Sequence, residues 1–302
     1  MGNSIIHSKS ISELLQGMRL EKPTHPLITI IDTAKLGYGE ETIGARYSSS
    51  MYCIALKDSG CGINYGRNTY DFDEGVLIFT APNQVITLTK AQELGEVNGW
   101  MLYFHPDLIR NTALGTKIDD YSFFNYEVHE ALHLSDQEQS TLTDCITMVQ
   151  HEIKERIDNH SQQVLVSHIE LLLNYSTRFY ERQFNTRTNQ IKDIVSQFER
   201  ELKGYYKEKK ALEFGVPTIQ RFADSAHISQ HYFSDLIKKE TGRAPKDHIN
   251  EYVVEQAKNM ILGTEQSISE IAYELGFNYP HYFTRLFKSK TGRTPVEYRS
   301  LN

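Results

Sequence analysis

The sequence predicts an α+β chain: a β-rich first half that ends in long helices, then an all-α second half with two helix-turn-helix motifs. Three observations carry this. Residues 218–245 and 267–295 repeat one unit, short β-rich runs separated by turn residues fill most of the first hundred positions, and the apolar period lengthens from Ser135 onward. In the repeat, Phe222 and Ala223 lie over Ile271 and Ala272 at an offset of 49, whereas Tyr232, Phe233 and Ser234 lie over Tyr282, Phe283 and Thr284 at an offset of 50. Leu236 and Leu286, Lys238 and Lys288, the Thr-Gly-Arg runs 241–243 and 291–293, and Pro245 and Pro295 keep the second offset. The one-residue slip therefore falls between Ala226 and Tyr232, in the turn, where a length change leaves both packed faces intact.

The expected strands are 27–31, 51–56, 76–79, 85–88 and 100–104, rich in β-branched and aromatic residues. Turn formers at 58–60, 73–75, 81–83 and 98–99 separate them, and short strands at this spacing point to a small sandwich or barrel. Pro106 suits the first turn of a helix and ends the strand region. Ser135 and Glu138 then have the spacing of a capping box, and Leu142, Ile146, Val149, Ile153 and Ile157 recur at helical steps behind them. A second amphipathic helix over 161–184 carries Leu165, Ile169, Leu172, Leu173 and Phe179 on its apolar face. These two helices either pack on the β-domain or pair between subunits. Residues 1–185 thus form one domain, the polar stretch 186–190 a linker, and 191–302 a second domain.

The second domain opens with a helix over 191–203 that stops near Gly204, and the charged segment 205–217 reads as an exposed loop. In the second repeat, Ser267 and Glu270 make a capping box, Gly276 supplies a left-handed turn, Asn278 caps the next helix, and Pro280 sits where it costs no helical hydrogen bond. Phe283, Leu286 and Phe287 face the core, leaving Pro280, His281, Thr284, Arg285 and Lys288 outside. The first repeat presents Gln230, His231, Ser234, Asp235 and Lys238. A connecting helix over 246–262 spans roughly 25 Å at about 1.5 Å per residue. With the helix bodies at its ends, two recognition helices would lie about one DNA turn apart, roughly 34 Å.

The outer residues suit a DNA groove. Arg285 can donate two parallel bonds to guanine O6 and N7, which discriminates by roughly 1–3 kcal/mol. His281 and Thr284 can bond base edges or phosphates, whereas Asp235 accepts only from cytosine N4 and repels phosphate. The net charge of −7 conceals a division: residues 1–190 hold 15 basic and 24 acidic side chains, and 191–302 hold 17 and 15. Within the latter, 227–246 and 278–299 together carry nine basic and three acidic residues, so positive charge gathers around the two candidate recognition helices.

Other classes lack their signatures. No apolar run nears the roughly 20 residues of a membrane helix, and no signal sequence opens the chain, so a cytoplasmic location is expected. Cys53, Cys61 and Cys145 form neither a disulfide framework nor a CxxC pair, and read as buried thiols. The chain has no P-loop, GxSxG or HExxH motif, and no histidine falls between His25 and His105, which argues against a His-ligated metal enzyme. His129 and His133 could share a helix face, but no third ligand accompanies them. No enzyme activity, metal or cofactor is expected.

The run Ile268, Ile271, Ala272, Leu275, Gly276, Phe277, then Tyr282, Phe283, Arg285, Phe287, Lys288, then Thr291, Gly292, Thr294, Pro295, Tyr298 and Arg299 resembles the signature of AraC/XylS-type transcription regulators. The resemblance covers about 191–302. It implies a seven-helix DNA-binding domain in which His231, Ser234 and Asp235 of the first unit, and Pro280, His281, Thr284 and Arg285 of the second, face bases. Asp235 and Pro280 depart from the family's usual residues. More loosely, 75–84 resembles a segment of the family's sensor half, which implies a cupin-like β-barrel followed by dimerisation helices. Expected partners are double-stranded DNA, a second copy of the chain, a small-molecule effector and, for an activator, RNA polymerase. Tyr47, Tyr52, Tyr65, Tyr70, Trp100 and Tyr103 either line an effector pocket or fill a core. In the second case the first half only dimerises or binds a protein partner.

Overall fold

The computed structural model describes residues 5–37, 39–57, 75–87, 93, 95, 98–126, 130–186 and 188–300. The chain divides into two compact units, 1–186 and 187–302. In the first unit the strands are β1 (Ile5–Ser8), β2 (Ile28–Asp32), β3 (Arg46–Ser49), β4 (Tyr52–Lys57), β5 (Val76–Thr80), β6 (Ile86–Thr87), β7 (Gly99–Phe104) and β8 (Leu132–His133). Its helices are α1 (Ile11–Gly17), α2 (Pro106–Ile109), α3 (Ala113–Lys117), α4 (Asp136–Lys154) and α5 (Ser161–Thr186). The strands form a five-stranded sheet in the order β2-β7-β4-β5-β8 and a three-stranded sheet in the order β1-β3-β6. Neither closes on itself among the described residues, so the expected barrel is represented by two open sheets.

Strand β4 explains the layering. Cys53, Ile54, Ala55 and Leu56 are all buried, which a strand requires when both of its faces are covered. Cys53 and Ala55 share one core cluster with Ile11, Leu14 and Leu15 of α1. On the other face the Phe79 ring packs 4.3 Å from Phe123 and 6.2 Å from Tyr180 of α5. The Trp100 Nε1–H donates to Thr143 Oγ1 of α4 at 3.3 Å. Helices α4 and α5 therefore pack on the sheet, one of the two arrangements expected of them. The Ser135–Glu138 capping box forms, but α4 ends at Lys154, and Ile157 lies beyond it at 62% exposure rather than on its apolar face. His133 sits in β8, not on a helix, while His129 and Cys61 lie outside the described residues. Cys53 and Cys145 are buried, and burial pushes the Cys53 thiol up to about 12, so it stays protonated and unreactive.

The second unit runs α6 (Thr188–Lys207), α7 (Lys210–Phe214), α8 (Ile219–Ser225), α9 (Gln230–Thr241), α10 (Pro245–Gly263), α11 (Ile268–Glu274), α12 (Pro280–Thr291) and α13 (Pro295–Arg299). Two expectations change here. Residues 188–190 of the expected linker already belong to α6, and the expected loop 205–217 holds the last turn of α6 and the single-turn α7. Charge misled: the Lys- and Glu-rich surface of this segment surrounds Tyr205 and Ala211, which are 3% and 2% exposed. Helix α7 also makes eight described helices where the resemblance implied seven. One apolar core runs through both repeats and the connecting helix, from Phe198, Phe222 and Phe233 through Ile249, Val253 and Ala257 to Ile271, Phe283 and Phe287. Burying such side chains contributes about 1.5–3 kcal/mol each before the entropy of ordering them.

Candidate nucleic-acid interface

The two repeats build their turns alike. After α8, Ala226 N–H donates to Phe222 O, His227 N–H to Asp224 O, and Ile228 N–H to Ala223 O. After α11, Leu275 bonds to Ile271, Gly276 to Tyr273, and Phe277 to Ala272 in the same three steps. The left-handed residue is His227 (φ 58°) in the first turn and Gly276 (φ 91°) in the second. From there the units part. Ser229 begins α9 directly after Ile228, whereas Asn278 intervenes between Phe277 and Tyr279, the residue that precedes α12. Asn278 is therefore the inserted residue behind the change of offset.

Asn278 was expected to cap α12, and it does not: Tyr279 holds the cap position and makes no side-chain cap bond. Pro280 at the first helical position removes one of the N–H groups a cap would satisfy. In the first unit the Ser229 hydroxyl accepts from Tyr232 N–H at 3.2 Å. The expected Ser267–Glu270 capping box does form and starts α11. Thr218, not singled out in the sequence, starts α8 by accepting from Arg221 N–H.

The candidate reading residues divide between two helices. His231, Ser234, Asp235 and Lys238 lie on α9, and Pro280, His281, Thr284, Arg285 and Lys288 on α12. His231, Lys238, His281, Arg285 and Lys288 are exposed, while Ser234, Asp235, Pro280 and Thr284 are half-buried. The Ser234 and Thr284 hydroxyls, at matching positions, donate to the carbonyls four residues back, Gln230 O at 2.7 Å and Pro280 O at 3.1 Å. Each hydroxyl oxygen then keeps acceptor capacity only, which suits the amino group of adenine or cytosine.

Part of the local positive charge is committed within the domain. Arg243 pairs with Glu251 at 2.6 Å, and Lys290 lies 3.6 Å from Asp247. Lys238 and Lys239 end α9, and Lys288 and Lys290 end α12, where cations also favour the helix dipole. His248 ties the end of α9 to α10 through a 2.9 Å contact between its Nε2 and Thr241 Oγ1. Burial, then the Arg243 charge, holds His248 below the usual histidine range, so it is neutral at pH 7.

The structure adds residues that the motif reading passed over. Tyr279 and Tyr282 are 61% and 49% exposed beside the candidate readers of α12. The His281 ring lies 4.2 Å from Tyr282 and 5.8 Å from Tyr279, and the Arg285 guanidinium lies 5.5 Å over the Tyr282 ring. The available signal was the run Tyr-Pro-His-Tyr at 279–282, in which the repeat pairing used Tyr282 only as a scaffold marker.

Residues 222–300 match the family model of a helix-turn-helix domain. Sixty residues are 34% identical to the uncharacterized HTH-type transcriptional regulator YobQ of Bacillus subtilis (strain 168), covering 20% of this chain and 25% of that protein. The match thus spans about a quarter of the relative's length. Among solved structures, the C-terminal domain of AraT, a response regulator from Geobacillus stearothermophilus, is 30% identical over 36% of this chain and 85% of its own, with a TM-score of 0.31. The DNA-binding domain of the global transcriptional factor AdpA, in complex with a target DNA, is 22% identical over 37% of this chain and 90% of its own, also at 0.31. The repeat, its two turns and the match to residues 222–300 lead to one statement: the C-terminal part of this chain is a helix-turn-helix domain.

Proposed function

We propose that this protein is a sequence-specific DNA-binding transcription regulator whose helices α9 and α12 enter two successive major grooves. The observation that carries the reading is the pair of recognition helices: one duplicated scaffold repeats His231 as His281, Ser234 as Thr284 and Lys238 as Lys288 on its outer face, but sets Gln230 and Asp235 on α9 against Pro280 and Arg285 on α12. Helix α10 between them has 19 residues, about 28 Å at 1.5 Å per residue, compatible with the pitch of duplex DNA. The site it recognises is asymmetric. No helix among the described residues is long and apolar enough to cross a membrane, and a cytoplasmic regulator without enzymatic activity fits the sequence.

In this reading the first unit is cupin-like, forms a homodimer and responds to a small molecule. The effector biases the spacing or orientation of two reading domains, and RNA polymerase is the partner if the outcome is activation. A second reading has its own support: the first unit binds only another subunit or a protein. Trp100 and Tyr103 are each 6% exposed, and Tyr52 stacks 5.1 Å from Phe104, so these aromatics pack in the core. Tyr65 and Tyr70 lie outside the described residues.

The test is selection of duplexes from a random-sequence pool by the full chain, followed by a genome-wide map of bound DNA. Enrichment of one asymmetric motif over about two helical turns is expected, and enrichment of nothing ends the proposal. Neighbouring genes then supply effector candidates. A candidate that shifts affinity for the selected duplex favours sensing over the second reading.

A further inference from the structure

The geometry points to Tyr282 as a positioning residue for Arg285: its exposed ring holds the guanidinium for bidentate contact with guanine. This rests on the DNA-reading assignment above. The duplicated scaffold provides the control. At the matching position of the first unit, Tyr232 is 6% exposed and belongs to the buried face, and the residue three places on is the acid Asp235. In the second unit the tyrosine is 49% exposed and the residue three places on is Arg285, 5.5 Å over its ring. One scaffold therefore accepts this tyrosine inside. Its outward position in α12 accompanies the change from acid to guanidinium.

The chemistry explains the pairing. An exposed arginine samples many rotamers, and fixing it on a base edge costs side-chain entropy. An aromatic face attracts the guanidinium and leaves its in-plane N–H groups pointing outward, as a two-bond contact to guanine O6 and N7 requires. The His281 ring also lies against Tyr282, 4.2 Å between centroids at a 41° tilt. The attraction strengthens when DNA excludes water from the site.

The probe is the duplex that the wild-type full chain enriches from a random pool, compared with a scrambled duplex of equal length. Tyr282→Ala is expected to weaken binding to the enriched duplex roughly 3- to 30-fold, with little change on the scrambled one. Tyr282→Phe retains the ring and should bind like wild type, whereas Tyr282→Leu retains bulk without the π face and should behave like Ala. In an Arg285→Ala background, Tyr282→Ala should cost less than about 2-fold, because the group it positions is gone. Equal cost in both backgrounds, or a Leu variant as tight as wild type, overturns the role. Intact binding of the scrambled duplex shows that the variants are folded. Failure of the wild type to enrich any duplex sinks the DNA-reading assignment itself. Enrichment with an unaffected Tyr282→Ala sinks only the positioning role.

Discussion

The two helix-turn-helix units are a natural experiment in divergence on one backbone. Their turns make the same three hydrogen bonds, yet the first holds its left-handed position with His227 and the second with Gly276. The reason lies in what surrounds them. His227 is exposed, so its side chain has room and the turn tolerates the backbone strain of a non-glycine residue. At Gly276 a Cβ would stand 2.5 Å from Gly215 C and 2.7 Å from Val216 N, and neither can move without disturbing the main chain. A duplicated turn is thus free in one copy and enclosed in the other. The outer faces diverge further, with an acid on α9 where α12 carries a guanidinium.

The largest expected effect breaks this contrast at the turn. Gly276→Ala should destabilise the domain by about 3 kcal/mol or more, from positive φ and backbone overlap together. A shift in the urea midpoint equivalent to less than 1 kcal/mol would remove the distinction between the turns. Next comes the reading surface. Arg285→Ala should cost roughly 1–3 kcal/mol on the enriched duplex and little on a scrambled one, whereas Lys288→Ala should weaken both and flatten the salt dependence. If Arg285→Ala leaves the preference between the two duplexes unchanged, α12 is not the main reader.

A smaller effect should go the other way. His227→Gly relieves about 1–2 kcal/mol of left-handed strain at an open site and loses about 0.4–1 kcal/mol to the entropy of the unfolded chain, so stability should rise by up to about 1.5 kcal/mol. Loss of stability would mean that the His227 side chain does something the turn geometry alone does not reveal. The smallest contrast is in acid. Backbone and hydroxyl bonds from Ser267 hold the Glu270 carboxyl below its usual 4.5, and those from Thr294 do the same for Glu297. Their folded-state pKa values are depressed, so their contribution is present above about 4.5 and fades as pH falls through the lower folded values. The first unit has Arg221 at the matching place in α8 and no such carboxylate. Glu270→Gln should therefore blunt the loss of stability below pH 4.5, as read by thermal midpoints across pH, and an unchanged acid limb would count against it.

Legibility in the sequence followed the physics of each signal. The helix starts at Ser135 and Ser267 were read from hydroxyl residues ahead of apolar periods, because capping is a local interaction that a few positions encode. Strands β1, β3 and β8 went unread for the opposite reason. They are two to four residues long, and their pairing is non-local: Ile5 finds Arg46, and Leu77 finds Leu132. The segment 205–217 failed because burial there depends on isolated side chains, Tyr205 and Ala211, within a charged surface. At the candidate site the positions on α9 and α12 were legible from periodicity. The aromatic support of Arg285 was not, since a repeat alignment assigns Tyr282 and Tyr232 one role and only three-dimensional exposure separates them.

The close approach of Gly215 to Gly276 bears on how the reading domain may be cut. Val216 N–H donates to Gly276 O at 3.2 Å, and the Tyr205 hydroxyl donates to Gly215 O at 2.8 Å. The turn that aims α12 is thereby clasped by chain some sixty residues upstream, ahead of both repeats and outside the stretch 222–300 that matches the helix-turn-helix family. A fragment starting at Thr218 would contain every candidate reading residue and still lack that clasp. The smallest portable reader of this protein should begin before Tyr205, within α6, even though nothing upstream of Thr218 is asked to touch a base.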